Sequence, residues 1–141
     1  MKEITLEAKL DNLQEVMGFI DGELEANDCP MKTQMQIDVA VEEIFVNVAH
    51  YAYTPEVGNV SVSINICADE DGSDVLKAVV TFKDSGIPFD PTAKADPDVT
   101  LSAQERQIGG LGIYMVKKSM DSMTYSYTEG QNILTIMKKL I

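Results

Sequence analysis

The sequence predicts an α+β two-layer sandwich, in which a mixed, largely antiparallel sheet carries its helices on one face. Val60, Val62, Ile64 and Ile66 alternate strictly with Asn59, Ser61, Ser63 and Asn65, the period of two expected of a strand with one covered face. Ile37, Val41, Ile44, Phe45, Val48, Ala49 and Ala52 recur instead at the spacing of a core-packing helix. The order of segments, β, α, α, β, β, loop, α, β, β, separates helices from strands as a layered domain does.

Taken in order, Ile4, Leu6, Ala8 and Leu10 alternate with polar residues and predict an opening strand. Asn12 followed by Glu15 has the form of a capping box, and Leu13, Val16, Met17, Ile20 and Leu24 repeat at helical spacing until Asn27, Asp28 and Pro30 interrupt them. A longer helix is predicted from about Lys32 to Tyr53, ended by Thr54, Pro55 and Gly58. After the alternating strand, residues 69–74 form a turn, and Val75 to Lys83 returns as the antiparallel partner. On it Leu76, Ala78, Val80 and Phe82 share one face, and Asp84 continues their parity.

From Ile87 to Ile108 no helical or strand period is sustained, and an irregular stretch of that length within a compact domain predicts a lid or binding loop. Gly109, Gly110, Leu111 and Gly112 close it and open a helix from Ile113 to about Met120, with Lys117 and Lys118 in its last turn, where cations suit the helix dipole. Ser122 to Thr128 alternates as a strand, Glu129 to Gln131 turns, and Ile133 to Leu140 forms the final strand.

The 141 residues suit a single domain, residues 1–141. A hydrophobic share of 45% and a charged share of 24% are those of a soluble globular protein. The absence of a long apolar run or a basic-then-apolar leader predicts no membrane contact, no signal peptide and a cytoplasmic location. Cys29 and Cys67 have no partner motif and are expected to be free thiols. The net charge of −12, from 23 acidic and 11 basic residues, argues against direct nucleic-acid binding, which needs a basic face. It is compatible with a basic protein partner.

Opposite the apolar face of the long helix, Glu43, Asn47 and His50 fall within a narrow arc at about 100° per residue, flanked by Met35, Val39 and Val46. A solvated stripe and a half-enclosed polar edge both fit these positions. Asp84, on the core-side row, either points into the layer between sheet and helices, where a carboxylate needs donors, or begins a turn with Ser85 and Gly86. The glycines before the third helix either form a tight turn or let backbone N–H groups approach an anion at a helix N-terminus. They are not a Walker loop, lacking Gly-Lys-Ser/Thr, nor a dinucleotide fingerprint, lacking its spacing and βαβ setting.

Together, Glu43-x-x-x-Asn47, Asp84-x-Gly86 and Gly109-Gly110-Leu111-Gly112 resemble the N-box and two glycine boxes of the ATPase superfamily shared by gyrase, histidine kinases and MutL. The likeness extends over nearly the whole chain. Within that superfamily, Asp84-Ser85-Gly86-Ile87-Pro88-Phe89-Asp90 and Gly110-Leu111-Gly112-Ile113-Tyr114-Met115-Val116-Lys117 look most like the stand-alone anti-sigma-factor serine kinases.

The resemblance implies the histidine-kinase-like ATPase fold with ATP and Mg2+ as cofactors. It implies that Asp84 accepts from the adenine amino group and that Gly86 leaves room for the ring. Asn47 would hold Mg2+, and Gly109, Gly110 and Gly112, in the segment that includes Leu111 and Ile113, would present amides to the phosphates. Residues 90–108, in a loop leaving the sheet at about residue 85, would be the ATP lid. Glu43 would orient or deprotonate a partner serine hydroxyl, within the positioning-plus-electrostatics logic of phosphoryl transfer.

His50 lies where histidine kinases commonly place a phosphate-facing lysine, whereas the anti-sigma group more often has its histidine one residue later, where this chain has Tyr51. Arg106, the sole arginine, is either a phosphate contact or a solvated lid charge. Thr135 matches a position that often supports the adenine-binding carboxylate.

The function implied is that of a protein serine kinase that phosphorylates an anti-sigma-factor antagonist and sequesters a sigma factor, as a homodimer. A non-catalytic ATP-gated binding switch of the same fold is the alternative. A detached histidine-kinase domain is disfavoured, because His50 is the only histidine and lies inside the N-box.

Overall fold

The computed structural model describes residues 1–53, 58–68, 75–91 and 110–141. These comprise strand β1 (Lys2–Glu7), helices α1 (Leu13–Ala26) and α2 (Met31–Tyr51), strands β2 (Asn59–Ala68) and β3 (Leu76–Asp84), helix α3 (Gly110–Ser119), and strands β4 (Ser122–Thr128) and β5 (Gln131–Lys139). The strands form one sheet in the order β1-β2-β3-β5-β4. Every pairing is antiparallel, so the α+β expectation holds and its parallel component is absent from the described strands.

The alternation read from the sequence decides which side is covered. Val60, Val62, Ile64, Ala78, Val80, Phe82, Leu134 and Ile136 form the buried row, against which Val16, Ile20 and Leu24 of α1 and Ile37, Val41, Ile44 and Phe45 of α2 pack. Fully burying a side chain such as Phe45 or Phe82 contributes about 2–3 kcal/mol. Asp84 ends its strand in the same row and is itself buried.

Several boundaries differ from expectation. β1 stops at Glu7, and Leu10, exposed, lies in a short 3-10 turn instead of the strand. The capping box does not form: the Asn12 amide donates to the Glu7 carbonyl, 2.9 Å away, and makes no cap to α1. α2 ends at Tyr51, before the Tyr53 expected. The Tyr53 hydroxyl donates to the Asn59 carbonyl and accepts from the Ser85 N–H, both at 2.7 Å. That pair of bonds ties the end of α2 to the two strand ends beside Asp84. Between β4 and β5, Glu129 and Gly130 take left-handed φ values of 54° and 77°, the two-residue turn that matches strand twist.

The expected breakers Thr54 and Pro55, the turn at residues 69–74, and most of the 90–108 lid, with Arg106 and Gly109, lie outside the described residues. Among the described residues, both cysteines are free and no helix is long and apolar enough to cross a membrane.

Candidate functional site

Between the edge of α2, the start of α3 and the ends of β3, β4 and β5 lies a pocket that opens to solvent. Its wall is chiefly apolar, with Ile44, Val48, Phe82, Ile113 and Leu134. Polar side chains enter at Asn47, Asp84, Tyr125 and Asn132.

Asp84 anchors one end. Its Oδ1 accepts from the Gly86 N–H and from Asn132 Nδ2, both at 2.9 Å, so the carboxylate that parity placed in the interlayer does find donors. Antiparallel register sets Asn132 directly opposite Asp84. The Asn132 amide also donates to the Ile87 carbonyl at 2.8 Å, and its oxygen accepts from the Phe89 N–H at 3.1 Å and from the Tyr125 hydroxyl. One side chain thus joins β3, β4, β5 and the segment after β3. Burial pushes the Tyr125 phenol up; its bond to the Phe89 backbone opposes this, while Asp90, Asp84 and Tyr127 reinforce it. The phenol therefore remains a donor.

Gly86 is needed here for a reason other than the expected room for a ring. A Cβ at this position would collide with the backbone carbonyl of Ala52, which accepts from the Ile87 N–H at 3.0 Å. The turn after Asp84 is thereby pressed against the end of α2.

The other end is built from α2 and α3. Gly110 and Gly112 lie within the first turn of α3 and not in a loop before it. A Cβ on Gly112 would collide with Oε2 of Glu43, so glycine lets this turn approach the Glu43 carboxylate, an anion at the positive end of a helix. One turn further along α2, Asn47 lines the cavity, and its Nδ2 is buried without a hydrogen-bond partner among the described residues. Amide orientation is assigned from partners, and Nδ2 has none among the described residues. Turned over, the side chain would place its oxygen at that position. Ile113 is buried in the wall.

His50 continues the Glu43/Asn47 side of α2, but it is exposed in the last turn and does not line the cavity. Thr135 is corrected outright: it sits on the opposite face of β5 from Asn132 and Leu134, and its hydroxyl lies 3.3 Å from that of Thr81. Asn132 takes the supporting place beside Asp84. Asn132 and Tyr125 were both missed. The available signal was parity, since Asn132 shares the Leu134/Ile136 row, but starting the strand at Ile133 left it in the turn.

The arrangement has distinct chemical capacities along its length. A carboxylate whose Oδ1 is held by two donors and which lines an apolar cavity can accept from a heterocyclic amine. Orphan N–H groups in the first turn of α3 can hold an anion, and an Asn oxygen beside them suits a hard cation shared with phosphate.

The model of the histidine kinase-like ATPase domain family matches residues 6–138. Serine-protein kinase RsbW of Bacillus cereus (strain G9842) is 26% identical over 100 residues, 68% of this chain and 58% of that protein. The RsbW of Bacillus mycoides (strain KBAB4) is 25% identical over the same shares. The chain therefore spans 58% of the length of these relatives. Among solved structures, the RsbU and RsbW domains of Rv1364c from Mycobacterium tuberculosis superpose with a TM-score of 0.64 at 13% identity, over 98% of this chain and 32% of that one. The SiaB–SiaC complex from Pseudomonas aeruginosa gives 0.50 at 14% identity, over 96% and 89%. At such identities the structural likeness speaks to the fold alone.

Proposed function

Because this chain belongs to the histidine kinase-like ATPase family, we propose that it is an ATP-binding protein serine kinase that phosphorylates an anti-sigma-factor antagonist and sequesters a sigma factor. The observation that carries the nucleotide part is the single cavity with a donor-held Asp84 at one end and Asn47 beside the glycine-bearing start of α3 at the other. The partner part is supported by the likeness to RsbW serine-protein kinases. A cytoplasmic homodimer belongs to the same reading.

In it, Asp84 receives the adenine amino group, Phe82 and Leu134 enclose the ring, and the first turn of α3 binds phosphate. The residues present fit Mg2+, since Asn47 brings an amide whose Nδ2 has no hydrogen-bond partner among the described residues. Bound there, the ion would supply charge neutralisation across the phosphates. Glu43 orients the substrate serine hydroxyl and takes its proton. Isothermal titration of Mg-ATP into wild type and Asp84→Asn tests the nucleotide half, and the reading is lost if the variant binds equally well. Recovery of partners from the native cell with and without Mg-ATP, followed by phosphosite mass spectrometry, tests the kinase half. A small protein bearing a new phosphoserine is the expected product.

A second reading, an ATP-gated binding switch without phosphoryl transfer, draws on the position of Glu43 against Gly112. A carboxylate seated on a helix end can serve to hold that helix in place. Phosphotransfer lost in Glu43→Ala with nucleotide affinity retained favours the kinase, whereas a switch has no transfer to lose.

A further inference from the structure

α2 has a third side, away from both sheet and cavity, that the nucleotide site does not use. Met31, Met35 and Val39 are 78%, 62% and 52% exposed, although the other large apolar residues of their helix half are buried. Scattered exposed apolar residues need no explanation, but these recur at i, i+4 and i+8 and make a continuous ridge about 12 Å long.

Beside the ridge, toward α1, is a group of carboxylates. Gln34 Nε2 donates to Asp21 Oδ1 at 3.2 Å and to Glu25 Oε1 at 3.4 Å. Asp38, one turn along from Gln34, has one carboxyl oxygen, Oδ1, buried with no hydrogen-bond partner among the described residues. Burial first, then a hydrogen bond to Asp21 and the charges of Asp21 and Glu25, push the Asp38 carboxyl up to about 8. The Cys29 thiol on the connecting turn faces the same group and is raised by burial and by Asp38. On the far side, helical phase turns Gly18 and Gly22 of α1 outward, and a Cβ on either would meet nothing within 4 Å. The result is a shallow groove with an apolar ridge on one side, low backbone on the other and acidic groups between.

We propose that this groove docks a basic amphipathic helix of the protein that the chain sequesters, its apolar side on Met31, Met35 and Val39 and its cations on Asp21, Glu25 and Asp38. The proposal rests on the partner-binding reading above and adds where that partner sits. Charge selects the occupant. A cationic side chain supplies the donor that Asp38 Oδ1 lacks, whereas a second copy of this face would set the same carboxylates against one another. Docking a cation favours ionised Asp38 and releases a proton. Affinity therefore rises as pH increases from 6 to 8, by at most about tenfold per unit for one proton, and levels off above the pKa of the free form.

A fluorescent 18-residue Leu/Lys peptide with one apolar helical face, titrated without nucleotide and followed by anisotropy, is the test. Wild type and Asp84→Asn are expected to bind alike, with binding weakened about tenfold or more by Met35→Asp/Val39→Asp and by the milder Met35→Gln/Val39→Thr in the same direction. Asp38→Asn is expected to weaken binding and flatten its pH dependence. Equal binding of the ridge variants, of a Leu/Glu peptide or of a non-amphipathic Leu/Lys scramble overturns the proposal, as does self-association of wild type that the ridge variants abolish. ATP titrations on the same proteins fail separately if the nucleotide reading is wrong.

Discussion

The two ends of the cavity are finished to different degrees. At the Asp84 end, Asn132 uses both its amide hydrogens and its oxygen on four partners, two on the neighbouring strands β3 and β4 and two in the segment after β3. At the Asn47 end, a buried amide nitrogen has no partner among the described residues, and Glu43, one turn back on α2, rests against the first turn of α3. On the proposed reading, the Asp84 end, assembled by the chain alone, can select a base before anything else is in place, while the Asn47 end is completed by the phosphates and ion that arrive. The difference follows from where the two ends are built, one on paired strands whose register is fixed and one on the facing edges of two helices.

This contrast can be broken by substitution. The largest effect is expected for Glu43→Ala, which should lower serine phosphotransfer by about 10^2–10^4-fold, the range of a general base, with nucleotide affinity little changed in a calorimetric titration. Asn132→Ala leaves buried partners unsatisfied and should reduce stability by about 2–4 kcal/mol in urea unfolding. Asn47→Ala removes an amide that makes no bond through Nδ2, so in the absence of Mg-nucleotide it should stay within about 0.5 kcal/mol of wild type. Equal losses for the two Asn variants would erase the distinction between the ends. Tyr125→Phe, which deletes one donor to Asn132 and leaves its ring, should lose about 1 kcal/mol.

The sequence was most legible where one face of an element is covered. Strict alternation identified the buried rows of β2 and β3, and parity alone carried Asp84 into the interlayer. On β5 the same logic gave no direction, because Ile133 and Met137 of the outer row are as apolar as Leu134 and Ile136 of the inner one. Nothing in the pattern therefore opposes the role that the resemblance implies for Thr135, whereas register sets Asn132 opposite Asp84. Helix starts were less legible for a different reason. Gly110 and Gly112 read as loop by propensity, but both lie in the first turn of α3, where Gly112 sits against the Glu43 carboxylate. Asn12 had the spacing of a cap, and its amide was drawn instead to the Glu7 carbonyl. The apolar flank of Met35 and Val39 was visible in the sequence, but its meaning was not. Both are exposed on α2 and neither lines the cavity.

Titrating ATP into Asp84→Asn and Asn47→Ala, each with and without Mg2+, separates the two ends most sharply. Asp84→Asn should weaken binding by about 10–100-fold, the value of a hydrogen bond to a charged group, whether or not Mg2+ is present. Asn47→Ala should weaken it only when Mg2+ is present. An Asp84→Asn protein that binds as wild type does, or an Asn47→Ala protein with the same loss in both conditions, would contradict the division of the cavity into a preformed base site and a ligand-completed phosphate site.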